Sequence, residues 1–84
     1  LGTAWKALEA GELDINSDLA VNPSGGMKAR GHPIGCTGIA SSIEVVDQLT
    51  GRAGDRQHHG ARLGMIQSVG GVSDESFVFI VDTV

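Results

Sequence analysis

The chain has 84 residues, 40% of them hydrophobic, and a formal net charge of -4. That length allows one small domain or part of a larger one. The negative balance, with no block of Lys or Arg, argues against binding to a nucleic-acid backbone. No apolar run approaches the roughly 18 residues of a membrane span, and no signal peptide is visible. A single cysteine permits no internal disulfide, which agrees with a cytoplasmic setting.

Residues 4–10 have the pattern of a helix, with Ala4 and Leu8 on one face and Gly11 as a natural stop. The polar segment 12–18 predicts a loop. Leu19, Ala20 and Val21 suggest a very short strand leading into Asn22-Pro23. The strongest helical signal starts at Thr37 or Gly38, where Ile39, Ile43, Val46 and Leu49 recur at helical spacing. Thr37 is the expected N-cap and Gly51 the expected left-handed residue after the helix. Segment 51–60, charged and interrupted by glycine, predicts a solvent loop. Segment 62–69 predicts a strand with Leu63, Met65 and Val69 on one face and Ile66 on the other. Gly70 and Gly71 break it. "SFVFIV" at 76–81 predicts a strand apolar on both faces.

The expected order is therefore helix, short strand, helix, strand, strand, in the α/β class. A strand apolar on both faces needs a layer above and a layer below, and one long helix covers only one. The chain has the pattern of a piece of a layered domain that expects further surface.

Residues 22–38, "NPSGGMKARGHPIGCTG", hold five glycines, both prolines, the cysteine and one histidine. Gly26 and Gly31 have the glycine spacing of a phosphate-binding loop, but His32-Pro33 stand where its Lys and Ser/Thr belong. No dinucleotide fingerprint occurs. His32 lies just before the long helix, flanked by Gly31, which leaves no side chain beside it, and Pro33, which stiffens the turn. The positive end of that helix disfavours an imidazolium. A neutral imidazole there can take a proton from a thiol or donate to a developing oxyanion. The plain alternative is a tight turn carrying a surface histidine.

Cys36, near the same helix start, is a weaker candidate nucleophile, against a reading as a small residue packed at the junction. His58-His59 lack the spacing of metal ligands and fit a solvated loop. Lys28 and Arg30 are candidate contacts for an anionic phosphate, against a reading as surface charges. Trp5 is expected to pack rather than to bind.

"NPSGGMKARGHPIGCTG" resembles the Gly-His-Pro segment of the thiolase superfamily. "AWKALEAGELDINSDLAVNPSGG", "LTGRAGDRQ", "LGMIQSVGG" and the final apolar strand resemble the rest of that superfamily's C-terminal end. The similarity is closest to the sterol-carrier-protein-like branch, which includes archaeal and bacterial acetyl-CoA acetyltransferases. It implies that residues 1–84 form part of the C-terminal domain of a layered α-β-α-β-α fold, the other layers lying in the remainder of a thiolase chain or in a partner subunit. It also implies an acyltransferase that cleaves 3-ketoacyl-CoA with CoA or runs the reverse Claisen condensation, with coenzyme A thioesters as substrates and no further cofactor or metal. This chain alone is expected to be inactive.

By the same resemblance, His32 is the catalytic histidine that activates a cysteine supplied by the other domain. Gly31 and Pro33 flank it at the substrate. Gly70 supplies an oxyanion-hole amide. Ser68, in Ser68-Val69-Gly70, stands where biosynthetic members carry an acid/base cysteine. A serine hydroxyl holds its proton too tightly for that task. This departure leaves room for a thiolase-like lyase, a ketosynthase relative or a non-catalytic subunit. A homo-oligomer and a zinc/OB-fold acyl-CoA-binding partner are further expectations of the family.

Overall fold

The computed structural model describes residues 1–83; Val84 lies outside them. The elements are helix α1 (Ala4–Glu9), helix α2 (Gly26–Arg30), helix α3 (Thr37–Leu49), a 3-10 turn (Gly54–Arg56) and strands β1 (Leu63–Gly70) and β2 (Glu75–Asp82). None of the described helices is long and apolar enough to cross a membrane.

The two strands form an antiparallel hairpin in which Leu63 pairs with Asp82 and Gly70 with Glu75. Strand alternation sends Gly64, Ile66 and Ser68 toward α3 and Leu63, Met65 and Val69 away from it. Helix α3 lies over β1. Small residues allow that close approach. A Cβ added at Gly64 would overlap Val45 Cγ1, and one at Gly38 would meet Ser68 Oγ at 3.5 Å. Ile66 is buried beneath the helix, at 7% exposure, which contributes about 1.5–3 kcal/mol.

The C-terminal end of α3 closes as the sequence predicts. Gly51 takes φ 71°, its N–H bonds the Gln48 carbonyl, and the Arg52 N–H bonds the Asp47 carbonyl at 2.8 Å. This double bond is a Schellman closure, which needs the left-handed glycine. Segment 51–60 is a mostly exposed loop, as expected, but it is anchored: Ala53 is buried, and the loop folds back on α3 around the buried Gln48. Gln48 Nε2 donates to the Arg56 carbonyl at 2.6 Å, and its Oε1 accepts the His58 N–H at 2.8 Å. The His58 Nδ1 lies 2.8 Å from the Ile15 carbonyl, which ties the N-terminal region to this loop. Arg56 Nη2 bonds Glu44 Oε2 at 2.9 Å.

Two expectations are corrected. Leu19–Ala20–Val21 is irregular chain that follows a bend at Leu19, not a strand. The outer edges of β1 and β2 stay unpaired, but this segment does not reach them: Val21 makes one backbone bond, to the Leu13 carbonyl, which folds it onto its own N-terminal loop. Of the expected stripe Ile39, Ile43, Val46 and Leu49, Leu49 packs on β1, Ile39 borders the space between α3 and the hairpin, and Ile39, Ile43 and Val46 are exposed. The face carrying Gly38, Val45 and Leu49 packs, because it offers the closer fit to β1. A short helix, α2, also forms where only irregular chain was expected.

The missing second layer is visible in the structure. Leu63, Met65, Val69, Val78 and Ile80 make one sheet face and each is more than half exposed. On the other face, Phe77 and Phe79 of β2 extend past the edge of α3 and are also exposed. Ala53 and Ile66 are the buried hydrophobic residues among those described. The described residues contribute one helical layer and one two-stranded layer of the α/β architecture.

Two measurements check this packing in the protein that carries the segment. Gly64→Val forces a branched side chain into Val45 and should lower unfolding free energy by about 1–3 kcal/mol, with partial recovery when Val45→Ala is added. The Glu44 carboxyl is pushed up by burial, but hydrogen bonds from Arg56 and Gln48 and the charges of Arg56 and Arg30 outweigh this and hold it below its ordinary value. A depressed carboxyl stabilises the fold above its unfolded-state value, and that stability is lost as pH falls through the folded one. Thermal midpoints should therefore drop between about pH 5 and pH 3, and drop less in Glu44→Gln.

Candidate active site

The Gly-His-Pro segment is the link between α2 and α3. Gly31 ends α2, its N–H bonding the Met27 carbonyl at 2.8 Å, and takes φ 80° with ψ -176°. That conformation strongly favours glycine. Nothing lies within 4 Å of a Cβ added there. The backbone path therefore calls for glycine at this position.

After Pro33 the chain turns directly into α3, the Cys36 N–H bonding the Pro33 carbonyl at 3.0 Å. Cys36 is the N-cap residue and makes no side-chain cap bond. Thr37, expected as the cap, is the first helical residue. Its hydroxyl is engaged elsewhere: Oγ1 lies 2.6 Å from His32 Nδ1 and donates to the Pro33 carbonyl at 3.4 Å.

His32 and Thr37 sit at the mouth of an open groove of about 450 Å³ between the start of α3 and the hairpin. Ser68 of β1 lines the same groove, and Ile66, Phe77 and Phe79 supply apolar wall. The groove thus joins a short polar cluster to an apolar surface, a combination suited to small organic ligands. Its existence follows from the fold. Ser68 is on the helix-facing side of β1 by strand alternation, and the approach at Gly38 brings the first turn of α3 to it.

The structure therefore brings together His32 and Ser68, which are far apart in sequence. Gly31 and Pro33 position His32 through the backbone. Gly70 lies at the end of β1 opposite Glu75 and does not line the groove. Cys36 is exposed and also outside the groove lining. Arg30 Nη2 donates to Ser41 Oγ at 3.1 Å, bridging α2 to α3. Trp5 is more than half exposed, with Lys6 Nζ 5.6 Å from its ring centre, and does not pack as expected. Thr37 was missed as a site residue; a hydroxyl five positions after the histidine, in the first helical turn, was the available signal. The phenylalanines were missed because "SFVFIV" carries no mark of which face would border a groove.

Comparison with known proteins places these features in a family. The model described as thiolase C-terminal domain-like matches residues 1–83. The chain belongs to the thiolase superfamily. It is 52% identical over 79 residues to an acetyl-CoA acetyltransferase from Methanothermobacter thermautotrophicus, a match covering 94% of this chain and 21% of that protein. It is 44% identical over 70 residues to non-specific lipid-transfer protein-like 2 from Caenorhabditis elegans, covering 83% of this chain and 17% of that one. Against sterol carrier protein 2 from Bos taurus the identity is 38% over 69 residues, covering 82% and 13%. The chain thus spans between 13% and 21% of the length of these thiolase-superfamily relatives.

Proposed function

We propose that this chain is the C-terminal part of an acyl-CoA C-acetyltransferase of thiolase type. The observation that carries the reading is the shared groove, in which the histidine of Gly31-His32-Pro33 meets the strand bearing Ser68-Val69-Gly70. The identity to an acetyl-CoA acetyltransferase supports it.

In this reading His32 takes the proton of a cysteine thiol supplied by the rest of the enzyme. The thiolate adds to the 3-keto carbon of a 3-ketoacyl-CoA. The C2–C3 bond then breaks; its electron pair leaves with acetyl-CoA, which is protonated at C2. The acyl group stays on sulfur until the thiol of CoA takes it. While protonated, His32 donates a hydrogen bond to the thioester oxyanion, and the Gly70 amide stabilises an oxyanion at a second position. Ser68 contributes shape and a hydroxyl at the groove but shuttles no proton. The nucleophile and a second acid/base group come from the remainder of the enzyme, so this segment alone is inactive. Coenzyme A thioesters are the substrates, with no further cofactor. A cytoplasmic homo-oligomer, with a zinc/OB-fold acyl-CoA-binding partner, completes the proposal.

Ser68 in place of cysteine favours a second reading, a thiolase-like lyase or ketosynthase relative, or a non-catalytic subunit. The names of the lipid-transfer and sterol-carrier relatives agree with a lipid-derived ligand in either case. Acetoacetyl-CoA turnover by the complete protein separates them. Cleavage that requires free CoA is thiolysis; cleavage without it indicates a lyase; no reaction, with the partner subunit present, indicates a non-catalytic role.

His32→Ala in the complete enzyme should lower kcat by about 10²–10⁴, the contribution of a general base, whereas Ser68→Ala should stay within about tenfold. Steady-state thiolysis kinetics check both, and normal turnover in His32→Ala overturns the role given to His32. Cys36→Ala should leave turnover near that of the parent enzyme, since Cys36 does not line the groove.

A further inference from the structure

We infer that Thr37 is a positioning residue that fixes which ring nitrogen of His32 carries the proton; this rests on the catalytic reading of His32 above. The Thr37 hydroxyl has two neighbours, His32 Nδ1 at 2.6 Å and the Pro33 carbonyl at 3.4 Å. A hydroxyl has one hydrogen to donate and lone pairs to accept with. The Pro33 carbonyl can only accept. In the inferred arrangement the hydroxyl hydrogen is directed to Pro33, the oxygen presents a lone pair to Nδ1, and Nδ1 carries the hydrogen. Nε2, on the opposite side of the ring, is left with its lone pair, the form that a proton-accepting base requires.

The same bond serves the next state. When Nε2 takes a proton, Nδ1–H continues to donate to Thr37, and Nε2–H becomes free to donate to an oxyanion. One hydroxyl thus supports both duties without rearranging. Its placement is well suited to the task. Thr37 is the first residue of α3, so its backbone is held by the helix and its β-branched side chain has few rotamers. His32, by contrast, is exposed and follows a glycine with open space around it. The bond to Thr37 is the side-chain tether that the described residues give the ring.

The test uses the complete protein, labelled with ¹⁵N-histidine, with His32→Asn to assign the ring signals and Thr37→Val and Thr37→Ser as variants. Nitrogen chemical shifts of the neutral ring report the tautomer directly. The expected result is hydrogen on Nδ1 in the parent and in Thr37→Ser, and a shift toward hydrogen on Nε2 in Thr37→Val. Hydrogen on Nε2 in the parent, or a tautomer unchanged in Thr37→Val, overturns the inference. In thiolysis assays Thr37→Val should lose about tenfold in kcat with KM little changed, and Thr37→Ser should recover most of it. Loss of structure in Thr37→Val could imitate the kinetic pattern but would not move the hydrogen of a neutral ring to Nε2, so the nitrogen shifts decide. If His32→Ala proves fully active, the catalytic reading fails on that measurement, while the nitrogen shifts still judge whether Thr37 sets the tautomer.

Discussion

The close seating of α3 on β1 is the constraint on which the rest of the molecule depends. Gly64 leaves room for Val45 and Leu49, and Gly38 leaves room for Ser68. A side chain at Gly64 would push the helix outward from the strand, whereas at Gly38 the first turn rests on Ser68 at ordinary contact distance. The groove would then open, because its two walls are the first turn of α3 and the helix-facing residues of the hairpin. His32 is not on either element. It reaches the groove because the turn after Pro33 delivers it there and Thr37, on the seated helix, holds its ring. Packing at small residues and placement of the histidine are thus one problem solved at one interface.

The opposite face of the hairpin obeys a different logic. Leu63, Met65, Val69, Val78 and Ile80 stand exposed together, and so do Ile39, Ile43 and Val46 on the outer side of α3. Apolar clusters of this kind mark surfaces meant to be covered. The match to thiolase-superfamily relatives that are several times longer supplies the reason. In a layered fold a sheet needs cover on both sides, and a helix packed between sheets is apolar on two stripes. The two stripes of α3 differ in kind: the one that meets β1 is small and close-packed, and the outer one is made of large branched residues.

Much of this was legible in the sequence, for identifiable reasons. Periodicity located α3, since its thirteen residues carry apolar positions at helical spacing and end at a glycine that can adopt φ 71°. Alternation located β1 and assigned its faces correctly. The lack of a second layer followed from strand 76–81 being apolar at every position but one. Which face of α3 packs within these residues was only partly legible: hydrophobicity picks Leu49 correctly but also Ile39, Ile43 and Val46, whereas fit to β1 favours Gly38 and Val45 beside Leu49. Hydrophobic pattern reveals what is to be buried, not which partner buries it. The Leu19–Val21 segment failed for a related reason: strand propensity is realised only beside a pairing edge, and the Val21 N–H is bonded to Leu13 instead. At the site, Gly-His-Pro was conspicuous because glycine and proline mark special backbone. Thr37 was not, since a threonine before a helix has an ordinary explanation as a cap, and only geometry showed its hydroxyl engaged by His32.

The substitution at Ser68 has a consequence for how the groove can work. Of the side chains that line it, the imidazole of His32 is the one able to act as both acid and base. Thiolysis on the proposed route moves protons in two places. One leaves the nucleophilic thiol and one reaches the departing carbon, and the same holds in mirror order when CoA enters. A single imidazole already engaged with the cysteine cannot serve the carbon atom at the same moment. A thiol at position 68 would supply the second group, and a serine hydroxyl does not. On the proposed route the second proton carrier would come from outside these residues, where the groove stands open beside the exposed Phe77 and Phe79. Those aromatic walls gain a purpose in that arrangement: once covered, they exclude water and strengthen each hydrogen bond made to the reacting carbonyl. On the proposed route the catalytic unit would be the junction between this segment and the surface that covers it, with His32 held from within by Thr37 and the complementary acid/base group brought from without.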